Sequence, residues 1–578
     1  MRKIPNNDTR PKISVKLSGT FHLRKPIELG PEASGVTFLG PAIISGGLPL
    51  REWKDAEFNG RPVWATAVPS ETVFRELFAG KASFRAPRTM LPETGFYNLA
   101  GYSPPEDAKA PWNQGQTSAL FKPGDLHPSW RNLNDVEIVV HHYWVTSRLP
   151  LSGLDEAGHV NFSKKSVFKL ADDYSGKAAP YVVENVAEAL VKPGQWYHDR
   201  PSGTLYYLPK RGERRERFVA YAPLIPVLLR VNGAAHTTFK NIEFTHSEYT
   251  LPSDSSGDIQ AAFNVPGAVQ LNDCVGTILS DCRIQHIGSY AIEILGQSHN
   301  CQVHHTLMKD LGGGGVKLGP GTTASTIADC TIESGGRLFA SAEGVWVSLS
   351  GGNHIIHNRI RDFYYTGISV GWDWGFKDTD AKNNVIAFND ISDIGQGELS
   401  DMGGIYVLGK QPNSVIFNNR IRNVQARGYG GWGIYLDEGS TGWTVENNVV
   451  LNTKTGGFHI HYGGNNSIKN NIFAFAQREG QLIRQRDDQQ GPIRFEHNLV
   501  ISRPGDAPLV VGNWLHRDVT LTGMLYAVPK SSLPFGDDGT GQFIETKVSG
   551  DGVLPDDSVA FKLGFKRIDL NQVGPRSK

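Results

Sequence analysis

Two segments, LSDMGGIYVLG and GGWGIYLDEGS, each set an aspartate against a short apolar run: Asp401 precedes the first and Asp437 ends the second. A third segment, GGFHIHYGG, carries His459, His461 and Tyr462, and GQLIR ends on Arg484. Two carboxyl groups in a groove lined by Tyr, His and Arg suit cleavage of a glycosidic bond. One, kept protonated, donates to the leaving oxygen; the other, ionised, acts as nucleophile or as base for water. Burial and like-charge repulsion raise one pKa, and a guanidinium such as Arg484 holds the other down. His459 and His461 can donate to sugar hydroxyls, and Trp372, Trp374, Trp432 and Tyr462 offer flat faces for sugar C–H groups. The two aspartates lie far apart in sequence, so the chemistry depends on a fold that brings successive segments into register.

A repeat supplies that register. From about residue 236 a polar residue, Asn, one residue and then Ile or Val recur, at Asn241, Asn358, Asn389, Asn419, Asn448, Asn471 and Asn498. Cys282, His305 and Cys330 fill the same slot, and from Cys282 onward the slots fall 23 to 31 residues apart. A second glycine-led strand follows each slot: GVKLG, GVWVS, GISVG, GIYVL, GIYLD and GFHIH. Short strands, Gly-rich corners and this period predict an all-β, right-handed parallel β-helix. Asn tolerates left-handed corners, and stacked Asn side chains can bond coil to coil, so most of these residues are ladder residues rather than ligands.

Aligned from the glycine, the first and third residues of each second strand are mostly apolar and face the core. The second and fourth then face outward: Ser369, Tyr406, Tyr435, His459 and Leu482 in one column, and Gly371, Leu408, Asp437, His461 and Arg484 in the other. Adjacent rungs are about 4.8 Å apart, which places Asp437, His461 and Arg484 in one patch. Asn389 to Gly404 spans six residues more than the usual slot-to-glycine distance and includes GELSDM; a bulged corner there sets Asp401, with Glu398, beside the same face. Alternation turns Glu438 away from Asp437, so it takes a supporting role. Asp373, Asp378 and Asp380 in WDWGFKDTDAKN are oxygen ligands that suit calcium. A three-acid loop is more commonly solvated, so no metal and no cofactor are assigned; Asp373 and Trp372 join the substrate-binding set.

The expected organisation is first coils over 1–59, an inserted antiparallel, β-sandwich-like domain over 60–235, and the main helix with its groove over 236–578. Runs such as VEIVVHHYWVTS and GTLYYLP mark the insertion, whose Arg85, Arg88, His141 and His142 could close the groove. The chain beyond about 515 is expected to cover the last coil. Across 578 residues, Lys plus Arg and Asp plus Glu both number 58, which argues against a nucleic-acid partner held by bulk charge. No apolar run is long enough to span a membrane, and MRKIPNNDTRPK lacks the apolar middle of a signal peptide. Cys274, Cys282, Cys301 and Cys330 are spaced unlike a zinc site and read as buried thiols.

With LSDMGGIYVLG, GYGGWGIYLDEGSTGWTVENN, GGFHIHYGG and NNIFAFAQREGQLIR, the chain resembles the parallel β-helix glycoside hydrolases of family 141. GVTFLGPAIISGG, WYHDRPSGTLYYLP and KLGFKRIDLNQVGPR extend the likeness over nearly the whole length. The resemblance implies a β-helix with an inserted β-sandwich-like domain, an extracellular or periplasmic location, and activity on plant or algal polysaccharide as an α-L-fucosidase or endo-xylanase. It implies paired catalytic aspartates at Asp401 and Asp437, the two positions reached from the rungs. The leading expectation is therefore an α-L-fucosidase-type hydrolase, with endo-xylanase or β-xylosidase action at the same site as the alternative. A polysaccharide lyase or epimerase, which needs a basic residue beside a uronate and commonly calcium, comes second, and a non-catalytic sugar binder third.

Overall fold

The computed structural model describes residues 13–172, 177–486, 490–503, 505–514, 518–527 and 540–577; the MRKIPNNDTRPK segment lies outside them. Twelve strands, from Ile27–Leu29 to Val510–Gly512, stack in parallel into one sheet. Each coil adds two further strands to a 26-stranded parallel set on the remaining faces. Inward columns on the twelve-stranded sheet are apolar from rung to rung: Val316, Val345, Ile368, Ile405, Ile434 and Phe458 form one, Leu318, Val347, Val370, Val407, Leu436 and Ile460 the next. All are fully buried, and each such side chain contributes roughly 1.5–3 kcal/mol of burial free energy. The four cysteines are free and buried in this interior.

Corner chemistry divides the repeat into two roles. In the later coils the residue before the slot takes the left-handed conformation, as at His357, Asn418, Asn447 and Asn470 (φ between 52° and 57°). The slot residue itself builds the ladder. Asn419 Nδ2 donates to Asn448 Oδ1 at 3.0 Å and to the Ile386 carbonyl at 2.9 Å, while its Oδ1 accepts from Asn389 Nδ2 and backbone N–H, both at 2.9 Å. The same pattern links Asn358, Asn389, Asn448, Asn471 and Asn498. Asn241 and His305 depart from the sequence alignment by one residue. Both are left-handed corner residues, and Thr306 follows His305 at the slot.

Antiparallel sheets interrupt the helix early. They begin with Gly47–Leu50 and end with Ala220–Pro223, and the parallel sheet resumes at Leu229–Asn232. The expected bounds of 60 and 235 therefore lie inside the first antiparallel strands and past the point of return. A seven-stranded sheet is built around Glu137–His142, alongside two four-stranded sheets. At the C-terminal end, Gln542–Phe543 pairs in parallel with Leu525–Ala527 of the last coil. Beyond it the chain runs back along the corners, where Lys566, Asp569 and Gln572 carbonyls meet Asn470, Asn418 and His357, and Arg576 pairs with Asp329.

Replacing Asn419 by Ala leaves several buried backbone and amide groups unpaired, a cost of about 3 kcal/mol or more. Urea unfolding is expected to show that loss for N419A. It is expected to show only about 1 kcal/mol for N413A, an exposed corner amide whose left-handed backbone Ala tolerates less well. Equal midpoints for the two variants would remove the ladder as a stabilising element.

Candidate active site

The outward column of the twelve-stranded sheet reads Lys317, Trp346, Ser369, Tyr406, Tyr435, His459, Ile483 and Val511. Its later part, with residues from several neighbouring loops, lines a cavity of about 810 Å³. Asp437 sits at the end of strand Trp432–Leu436, only 4% exposed. Three groups surround its carboxylate. Tyr406 donates to Oδ2 at 2.6 Å, Tyr435 donates to Oδ1 at 2.7 Å, and His461 Nδ1 lies 2.8 Å from Oδ1, donating in the tautomer that carries hydrogen there. Both oxygens act as acceptors, the arrangement of an ionised carboxylate. Burial, followed by the aspartate charges, pushes both phenols well above their ordinary pKa, so they remain donors.

Asp401 comes from the bulged corner, with a left-handed φ of 52°, a conformation aspartate tolerates. Its backbone is held from three sides. Asp401 N–H donates to the Tyr429 carbonyl at 3.1 Å, Tyr365 donates to the Asp401 carbonyl at 2.8 Å, and Ser400 N–H donates to the Tyr143 carbonyl of the inserted region at 3.0 Å. Gly430, with φ of 92°, makes the close approach possible: a Cβ there would lie 2.9 Å from Asp401 N. Burial, and next the charge of Asp437, push the Asp401 carboxyl well above the carboxylate range, against the opposing hydroxyls of Tyr435 and Tyr429. The two acids thus occupy different environments on neighbouring coils, and the Asp401 corner favours the neutral form of its carboxyl.

One amide ties the two together. Gln260 Nε2 donates to Tyr365 at 3.2 Å and to Tyr406 at 3.1 Å. Each phenol spends its single proton on an aspartate, Tyr365 on the Asp401 carbonyl and Tyr406 on the Asp437 carboxylate. The Gln260 contacts can therefore only be donations from its NH₂ group, which fixes the amide's orientation. The following residues, Ala261 and Ala262, both adopt left-handed backbone (φ 55° and 49°), strain of the kind stored where a loop must deliver a side chain.

Among the described lining residues, buried polar atoms without a hydrogen-bond partner include Asp401 Oδ1, Trp432 Nε1 and both ring nitrogens of His459. His459 is 2% exposed, and burial lowers its pKa to about 3, so the ring is neutral and offers one donor and one acceptor. Unpartnered donors and acceptors around a cavity match a ligand rich in hydroxyl groups.

Of the sequence-predicted residues, Asp401, Asp437, Tyr406, Tyr435, Glu438, His459, His461 and Arg484 line the cavity. Tyr462 stands behind it, donating to Glu438 Oε2 at 2.8 Å. Trp372 is buried edge-on between Trp346 and Trp374, and Asp373 packs against Gly409, so neither lines it. Asp378 pairs with Lys410 rather than with Asp373. Among the described residues no group of three or more His, Cys, Asp or Glu is arranged to hold a metal ion.

Arg484 requires a correction. Strand Leu482–Arg484 pairs one residue out of the expected register: Leu482 stacks on Phe458, Ile483 on His459 and Arg484 on Ile460. Arg484 therefore occupies a core column, and its guanidinium donates to Asp518 and to the Asn513 carbonyl, both at 2.8 Å, leaving Asp437 to other donors. The insertion's contribution also differs from expectation. Arg85 pairs with Glu76 and Asp310, Arg88 with Glu184, and His142 with Ser147 and the Lys169 carbonyl. His141 lies 3.7 Å from Glu398 beside the bulged corner. The insertion reaches the cavity instead through Trp112 and Trp144, and Gln260, Tyr429, Glu479 and Gln485 are among the other lining residues that sequence reasoning missed.

The sequence matches the family described as right handed beta helix region over residues 229–360, 267–473 and 371–513. Comparison with curated proteins gives no match. Among solved structures, one named glycoside hydrolase is 20% identical, with a TM-score of 0.68 over 79% of this chain and 89% of that one. The complex of XylC with xylose is 14% identical (TM-score 0.44, 86% and 80% covered), and the periplasmic alginate epimerase AlgG 13% identical (TM-score 0.33, 55% and 76%). The chain is a right-handed β-helix protein with smaller antiparallel sheets near its N-terminus. No helix among the described residues is long and apolar enough to cross a membrane.

A raised carboxyl pKa is also a statement about stability. The folded state favours neutral Asp401, so this contribution is complete below the ordinary carboxylate pKa of about 4 and is lost as pH rises through the folded value. The melting temperature of D401N is therefore expected to gain on the wild type as pH rises from 5 to 8. Parallel curves would place the Asp401 pKa in the normal range.

Proposed function

We propose that this protein is a carbohydrate-active enzyme, a glycoside hydrolase in which Asp401 is the general acid and Asp437 the nucleophile or base. The observation that carries the reading is the contrast between the two carboxyl groups: one has its pKa raised by its surroundings and by the other's charge, and the other is clamped by two phenols and an imidazole. That is the division of labour glycosidic cleavage needs. Likeness in fold to a glycoside hydrolase is consistent with it. The orphaned polar atoms of Trp432 and His459 suit sugar hydroxyls, and Glu438 and Glu479 add acceptors at the rim.

The electrostatics favour a neutral sugar. Asp401, Asp437, Glu438 and Glu479 line the cavity, and its one guanidinium, Arg484, is committed to Asp518. A lyase or epimerase must bind a uronate carboxylate and stabilise charge beside it. Four carboxyl groups with no uncommitted cation among the lining residues oppose that. The resemblance noted in the sequence narrows the proposal to family 141 and to plant or algal polysaccharide. It favours an α-L-fucosidase type, with endo-xylanase or β-xylosidase action as the alternative, in an extracellular or periplasmic setting.

A screen of aryl α-L-fucosides, aryl β-xylosides and polysaccharides containing either sugar tests this. D401N and D437N are each expected to reduce turnover of a cleaved substrate by roughly two to four orders of magnitude. Normal activity in both variants would overturn the assignment, and products absorbing in the ultraviolet would point to a lyase. Exclusive cleavage of xylosides would replace the fucosidase reading. Gln260 acts as a positioning residue through Tyr406. Q260A is expected to lower kcat about tenfold at nearly constant KM, and to change the pH profile of kcat because the clamp on Asp437 loosens. A purely structural role would leave the pH profile unmoved.

A further inference from the structure

The molecule has twelve tryptophans, and only Trp112 and Trp374 are exposed, at 41% and 47%. Both line the same cavity as the two aspartates. They arrive from opposite parts of the chain, Trp112 from the antiparallel insertion and Trp374 from a loop of the helix that follows strand Ile368–Gly371. Each is backed by a rigid aromatic group. Trp112 packs against Trp144 at 5.4 Å and Phe168 at 5.2 Å between ring centres, and Trp374 stands edge-on to Trp372 at 5.4 Å, itself edge-on to Trp346 at 5.4 Å. Tryptophan is costly to leave in water, and ten of the twelve are buried. Two held rigid and half-exposed at one cavity are pre-organised faces for an apolar surface.

Between them and the acids the chemistry changes from flat and apolar to polar. The inner end holds Asp401, Asp437, His459 and the Trp432 indole N–H, where hydroxyl groups are matched one by one. Trp112 and Trp374 bring no charge, and an indole face matches the C–H face of a pyranose. We propose that Trp112 and Trp374 form a sugar-binding subsite beyond the cleavage point, so that the substrate is a neutral oligosaccharide rather than a single glycoside, and that the insertion's part in the site is to supply half of it. This rests on the glycosidase reading for the position of the bond cleaved, but the subsite itself needs only carbohydrate binding.

The test has two arms. In the kinetic arm, wild type, W112A, W374A and W112F are compared on an aryl monoglycoside that the enzyme cleaves and on the matching oligosaccharides of two to five units. Each alanine variant is expected to raise KM for the oligosaccharides about tenfold. The alanine variants are expected to lose clearly less on the aryl monoglycoside, whose single aglycone ring can meet at most one indole, than on the oligosaccharides, and W112F to keep most of the oligosaccharide affinity. Equal losses on both substrates, or none on the oligosaccharides, would overturn the subsite. In the binding arm, the same proteins are applied to an array of neutral plant and algal oligosaccharides. Saturable wild-type binding that is lost in W112A and W374A supports the subsite even if no glycoside is cleaved, an outcome that would remove the hydrolase reading alone. Unchanged binding in the variants, or none by the wild type, overturns the proposal.

Discussion

Parallel, in-register stacking is the constraint on which everything else depends. Backbone hydrogen bonds hold successive coils about 4.8 Å apart, so each side chain has a neighbour of the same column directly above and below it. Columns of Ile, Val and Leu become the core, and a column of Asn becomes a continuous amide ladder. The outward column that includes Tyr406, Tyr435 and His459 becomes the floor of a cavity. The same spacing delivers the hydroxyl of Tyr406 and the imidazole of His461 to the two oxygens of Asp437, which none of these residues could reach within its own strand.

A regular solenoid alone would give only one of the two acids. Its repeating rungs supply Asp437 and the donors around it. Asp401 instead stands on a corner six residues longer than usual and is covered. Tyr429 and Tyr365 hold its backbone, and the inserted region docks beside it through Tyr143 and His141. Gly430 lets the next coil approach closely enough to complete the enclosure. The irregular parts of the molecule therefore enclose the Asp401 carboxyl, while the regular parts supply the hydrogen-bond donors to Asp437.

That division also explains what could be read from sequence. Alternation within a strand and a recurring glycine were enough to place Tyr406, Tyr435, Asp437, His459 and His461 on one face, because each depends only on local period. Arg484 was misplaced because Gln481 adds one residue after Gly480. Its amide is buried and bonds the Ala476 backbone in both directions, so the strand begins at Leu482 and every later side chain changes face. A single-residue slip is invisible to a pattern of alternation but reverses its meaning. Gln260, Trp112 and Trp144 belong to no repeat, and their approach to the cavity is a tertiary fact with no periodic trace.

The charge balance of the cavity follows from the same slip. Had Arg484 faced outward, the site would hold a guanidinium beside Asp437 and would suit an anionic sugar as readily as a neutral one. Turned inward, Arg484 neutralises Asp518 at the end of the core and leaves the cavity rich in carboxyl groups. Its nearest imidazole column is neutral at His459, and Asp437 is served by uncharged phenols and by His461. The charge of Asp437 is felt at Asp401, whose carboxyl is pushed up first by burial and then by that charge. That Arg484 is committed to Asp518 is thus a consequence of register, set where the chain inserts a single glutamine.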